Sequence, residues 1–178
     1  MAVDHVKATG VTNLDATPRV PNTAGQGGAA ELKEISGYVT AVASSSADAT
    51  YQVIRVSSDS IIKELWFESE AQGAGKFDVG VYYATDGSKA DAATSLLAAA
   101  AIDQDFFATV IDCASAVART SILNEGGFYT LDKRNQPLWQ ALGLTSDPKC
   151  NFDICLTVKT TAVTTGTGKV GLQALYTN

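Results

Sequence analysis

His5 is the single histidine of the chain, and Cys113, Cys150 and Cys155 are its three cysteines. Ser–His or Cys–His chemistry needs an imidazole held in place by a third group. His5 lies in an irregular N-terminal stretch that offers no such support, so it reads as a lone surface histidine. An odd cysteine count without C-x-x-C spacing argues against a disulfide framework or a zinc site. On a strand over 150–158, Cys150 shares a face with Phe152, Ile154, Leu156 and Val158, while Cys155 points the other way. Those two cannot bridge within the strand, and all three read as buried or half-buried thiols.

Two other motifs weaken on inspection. GAGK at 73–76 and GTGK at 166–169 brush against a phosphate loop. The first has Glu70 where the earlier glycine belongs and Phe77 where Ser or Thr belongs, and the second fails in the same way. Hairpin turns are the plainer reading. Glu64, Glu68 and Asp78 offer carboxylates for glycoside chemistry, yet their even positions place them on the outward, solvated face of two predicted strands. Trp66 falls on that face beside Glu64 and Glu68. An exposed sheet tryptophan packs under a neighbouring subunit or stacks on a sugar, and the first is the preferred reading. Asp86-Gly87 and Asp103–Asp105 supply oxygen ligands without a calcium loop around them, so turn chemistry accounts for them. No catalytic residue, metal site or cofactor is expected.

The bulk numbers agree with that restraint. A chain of 178 residues, 46% apolar and 18% charged, suits one domain with a real core. A net charge of −6 and a pI near 4.6 argue against nucleic acid, whose binding draws on clustered Lys and Arg. The longest apolar run, 96–102, is too short to span a membrane, and the N-terminus lacks the order of a secretory signal. Neither a nucleic-acid nor a membrane partner is expected.

Residues 1–34 carry Pro18, Pro21, Gly25, Gly27 and Gly28 among isolated apolar residues without a sustained period. They read as a disordered tail or as an extended arm that orders on a partner through Val11, Leu14 and Val20. From residue 35 a period of two takes over. Strands are predicted at 35–42, 50–57, 61–70, 76–85, 106–114, 120–123, 150–158 and 169–176, with 91–103 as a short helix or loop. On 76–85, Phe77, Val79, Val81 and Tyr83 share the packed face, and Lys76, Asp78, Gly80 and Tyr82 the wet one. Within 131–148 the spacing predicts one short helix, with Asn135 as its cap, Pro137 in its first turn and Gly143 at a left-handed stop. Such a helix would plug one end of a β-sandwich. The expected fold is all-β: a jelly-roll-like sandwich of about eight strands over 35–178, with an N-terminal arm over 1–34.

VTNLDATP in the arm, LWFESEAQGAGKFDVGVYYATDG, DFFATVIDCASA, and TLDKRNQPLWQALGLTSDP followed by FDICLTV occur in this order. Together they resemble a family of tailed-bacteriophage virion proteins, the jelly-roll decoration or cement proteins of icosahedral heads. The resemblance runs from about residue 6 to residue 176. It implies a non-enzymatic protein, made in the host cytoplasm, that binds the outer face of the shell across seams of the major capsid protein. Self-association as a dimer or trimer goes with that role. It fixes no contact residues; Val11, Leu14, Val20 and Trp66 are proposed from their apolar character in polar settings. Another virion position, in the tail, neck or head-fibre base, is the alternative. So is a glycan-binding adhesion module, suggested by the sandwich with Trp66, Tyr82 and Tyr83.

Overall fold

The computed structural model describes residues 17–18, 31–42, 47–84, 101–159 and 168–178. Eight strands run through them: β1 (Lys33–Thr40), β2 (Thr50–Ser57), β3 (Ile61–Ser69), β4 (Lys76–Tyr83), β5 (Ala101–Asp112), β6 (Val117–Ser121), β7 (Asn151–Val158) and β8 (Lys169–Thr177). Between β6 and β7 lie a 3-10 turn, Lys133–Asn135, and a short helix, α1 (Leu138–Ala141). The strand at 101–103 replaces the helix-or-loop expectation there, while 91–100, Asp86-Gly87 and most of the arm fall outside the described residues.

The strands form two four-stranded sheets, ordered β1-β8-β3-β6 and β2-β7-β4-β5, with every neighbour antiparallel. The pairs β1·β8, β2·β7, β3·β6 and β4·β5 are nested, as in one long antiparallel ribbon folded at the β4–β5 link. Rolling that ribbon brings β3 onto β8 and β4 onto β7. This is the jelly-roll order. Only β4 and β5 are consecutive strands paired in one sheet. The GAGK turn therefore is not a hairpin; it is an arch that carries the chain from β3 in one sheet to β4 in the other. Its geometry is held by the Gln72 N–H donating to the Cys113 carbonyl at 2.8 Å and the Gly75 N–H donating to the Gln72 carbonyl at 3.2 Å.

Alternation places the core between the sheets. In the first, Leu65 lies opposite Ala174 and Phe67 opposite Leu172; in the second, Phe77, Val79 and Val81 lie opposite Val158, Leu156 and Ile154. All ten are buried and belong to one apolar cluster. Each large member stabilises the fold by about 1.5–3 kcal/mol through its removal from water. Phe106, Phe107 and Tyr129 extend the cluster with centroids 5.0–5.5 Å apart. Tyr129 also donates its hydroxyl to the Ile62 carbonyl at 2.9 Å, and burial pushes its pKa up.

The other face of β4 is not wet. Asp78 is 1% exposed and Tyr82 is fully buried. The cause is β5, which has more residues than the partner it follows: Val79 pairs with Ala108 but Val81 with Asp103. The surplus folds over β4, and the backbone of Asp103 and Gln104 lies directly above Gly80, where a Cβ would collide with it. Polar groups trapped beneath find partners, as burial demands. Asp78 accepts the Val110 N–H at 2.8 Å and faces Lys159 at 3.2 Å, and the Tyr82 and Thr157 hydroxyls meet at 2.6 Å. Farther along this face, Asp153 accepts from Arg55 Nε at 2.6 Å, Arg55 Nη2 at 2.9 Å and Gln52 Nε2 at 2.7 Å.

The 131–148 island docks on the β2–β3 turn. The Leu138 and Trp139 N–H groups, at the helix start where no helical partner exists, donate to the Ser60 and Ser58 carbonyls at 2.8 and 3.0 Å. Leu138 and Ala141 are buried, and Gly143 takes a φ of +79° as the stop. Two local expectations change. Pro137 stands just before the helix, not inside its first turn. Asn135 ends the 3-10 turn and accepts from Lys63 Nζ at 3.3 Å, not from helix N–H groups. Backbone carbonyls of a distant turn took over the capping that a side chain was expected to do.

Candidate functional site

The residues with nucleophilic or acid–base chemistry do not converge. His5 lies outside the described residues. Cys113, Cys150 and Cys155 are all buried. Burial pushes the thiols of Cys113, to about 11, and Cys155 up, which keeps both protonated and inert at neutral pH. Glu64 and Glu68 sit on the first sheet and Asp78 on the second, under β5, so the three carboxylates share no face. Asp103 is pushed up by burial and by its neighbour Asp105. Among the described residues no group of three or more His, Cys, Asp or Glu is placed to hold a metal ion. No described helix is long and apolar enough to cross a membrane.

Tyr82 and Tyr83 are not surface platforms either. Tyr82 is fully buried, and the half-buried Tyr83 ring packs 5.7 Å from Phe152.

Trp66 is different. It is half-buried on the outer face of the first sheet, opposite Gln173 of β8 and Ser121 of β6. The Arg119 guanidinium lies 4.1 Å from its ring centroid, a cation–π contact that fixes the indole. One pair along β8, Gly171 lies between Tyr38 of β1 and Glu68 of β3. Where neighbouring positions raise side chains, Gly171 leaves a gap. The result is a hollow of about 580 Å³ whose walls include Tyr38, Trp66, Glu68, Arg119 and Gln173. A second hollow of about 500 Å³ shares Tyr38, Glu68 and Gly171 and runs on toward Lys169. Tyr38 is 68% exposed, with Lys169 Nζ 5.1 Å from its ring centroid. The Gln173 amide donates to the Glu34 carboxylate, which fixes its orientation.

Of the residues proposed from sequence, Trp66 therefore stands in a formed concavity, while Val11, Leu14 and Val20 lie outside the described residues. Tyr38, Arg119 and Gly171 were not singled out. They meet Trp66 only through the β1·β8, β3·β8 and β3·β6 pairings, across more than a hundred residues of sequence for Gly171, and no local pattern encodes those registers.

No family model matches the sequence, and no curated protein matches it. Similar solved structures include two phage capsid chains. A chain of the capsid of Ralstonia phage GP4 has 14% identity and a TM-score of 0.55, covering 89% of this chain and 88% of its own. The fold is shared with that capsid chain. A chain of the capsid asymmetric unit of cyanophage Pam1 has 13% identity and a TM-score of 0.48, covering 83% of this chain and 85% of its own.

Proposed function

We propose that this chain is a non-enzymatic structural protein of a phage virion, acting as a decoration or cement protein on the outer face of the head. The observation that carries the reading is the jelly-roll order of the sheets, matched over 89% of the chain by a chain of the Ralstonia phage GP4 capsid. The dispersed carboxylates and inert thiols favour an assembly role over a catalytic one. The partners are the major capsid protein and further copies of this chain. Residues 1–34 form the reaching arm, anchored by Val11, Leu14 and Val20, and 35–178 the folded body. Many copies, each with modest contacts, stabilise a shell because neighbouring sites act at high effective concentration. The acidic balance keeps such an exposed layer from adsorbing nucleic acid.

The test adds full-length protein to purified heads that lack it and counts bound copies by quantitative mass spectrometry. Saturation at hundreds of copies per head, lost when Val11, Leu14 and Val20 are together replaced by serine, supports the reading. A dozen copies or fewer moves the protein to the tail, neck or head-fibre base. No binding at all refutes a head role.

A further inference from the structure

We infer that the hollow on the outer face of the first sheet is a carbohydrate-binding site, taking a neutral hexopyranose unit of an oligosaccharide between Tyr38 and Trp66. A pyranose has one apolar C–H face and a rim of hydroxyls. It is matched by a rigid aromatic surface bordered by fixed polar groups, in a depression about one or two rings wide. Each requirement is met by named residues. Trp66 is held by Arg119, so little side-chain freedom is left to lose on binding. Tyr38 supplies a second, more exposed ring across the gap at Gly171. Gln173, oriented by Glu34, offers its amide, and Glu68 and Arg119 offer an acceptor and a fork of donors. The hollow of about 580 Å³ falls in the usual range for small-ligand sites, about 300–1,000 Å³.

The same chemistry disfavours an apolar protein segment in this place. Such a segment would take water from Glu68, Arg119 and Gln173 without replacing its hydrogen bonds, which is costly for polar and charged groups. Sugar hydroxyls replace them. The site is also separable from attachment through the arm, so it extends the proposed role and does not depend on it.

Isotope-labelled full-length protein is titrated with maltohexaose, cellohexaose and chitohexaose while amide and indole N–H resonances are followed. The expected result is saturable movement of the Trp66 indole and the Gly37 and Gly171 amides with at least one sugar, at millimolar affinity or tighter. The Trp139 indole, on α1, stays still and serves as the internal control. Tyr38→Ala removes an exposed wall and weakens binding by about tenfold or more. Gly171→Ala adds a methyl to the floor, where its Cβ would lie 3.0 Å from the Gly37 carbonyl oxygen and 3.3 Å from Tyr38 Cβ, and also weakens it. Circular dichroism and Tm confirm that each variant is folded. The inference is overturned if none of the three sugars gives saturable shifts at these resonances. It is equally overturned if the shifts centre on Trp139, or if Trp66→Ala lowers head occupancy while no sugar binds, which identifies a protein partner on this face.

Discussion

Replacing Gly80 by alanine tests whether β5 rests on the outer face of β4. The added methyl enters the space of the Asp103 carbonyl oxygen and of the Gln104 carbonyl group. These are backbone atoms, so no side-chain rotation relieves the overlap. β5 must lift by about an ångström to restore a normal contact distance. Lifting it strains the 2.8 Å bond from the Val110 N–H to the buried Asp78 carboxylate and opens the cover over Tyr82. Overpacking costs about 1–3 kcal/mol and a weakened buried hydrogen bond about 1 kcal/mol, giving an expected loss of about 3 kcal/mol. For a chain of this size that lowers Tm by about 6–12 °C. The assay is urea unfolding followed by fluorescence, with Gly127→Ala as comparison. Gly127 has a φ of +74° and nothing within 4 Å of an added Cβ, so that change carries only the left-handed backbone penalty, about 1–2 kcal/mol. A Gly80→Ala loss no larger than that of Gly127→Ala refutes the placement of β5.

Two further outcomes follow from local geometry. Val110 has a φ of +52° and is 50% exposed, a costly backbone for a β-branched residue. Val110→Asn, which tolerates this region and keeps the N–H to Asp78, is expected to raise stability by about 1 kcal/mol; an unchanged or lower urea midpoint rejects the strain argument. Asp147 is held below the ordinary carboxylate range, first by the Ser58 hydroxyl at 2.6 Å and then by the Lys149 N–H at 2.9 Å. A carboxylate whose folded pKa is depressed stabilises the fold above its unfolded value, about 3.9, and loses that contribution as pH falls through the folded value. The gap in urea midpoint between the parent and Ser58→Ala should therefore be full at neutral pH and shrink below about pH 4. A gap constant down to about pH 2 contradicts the assignment.

Sequence by itself determined the class of this protein. Period-two alternation over 50–57, 61–70, 76–85, 150–158 and 169–176 is imposed by the pleat, whatever lies across the sheet. Those strands stand within a residue or two of where the pattern puts them. The buried thiols and the left-handed stop at Gly143 are similarly local consequences of strand phase and of a missing Cβ. Tertiary structure alone decided which face of each strand meets what. Alternation separates two faces but cannot say that a neighbour covers the second one. Asp78, Gly80 and Tyr82 therefore read as wet until the surplus residues of β5 are seen folded over them. The same limit hid the hollow beside Trp66. Tyr38, Arg119 and Gly171 become its neighbours through antiparallel registers spanning much of the chain, and those registers are set by the packing of two sheets as a whole.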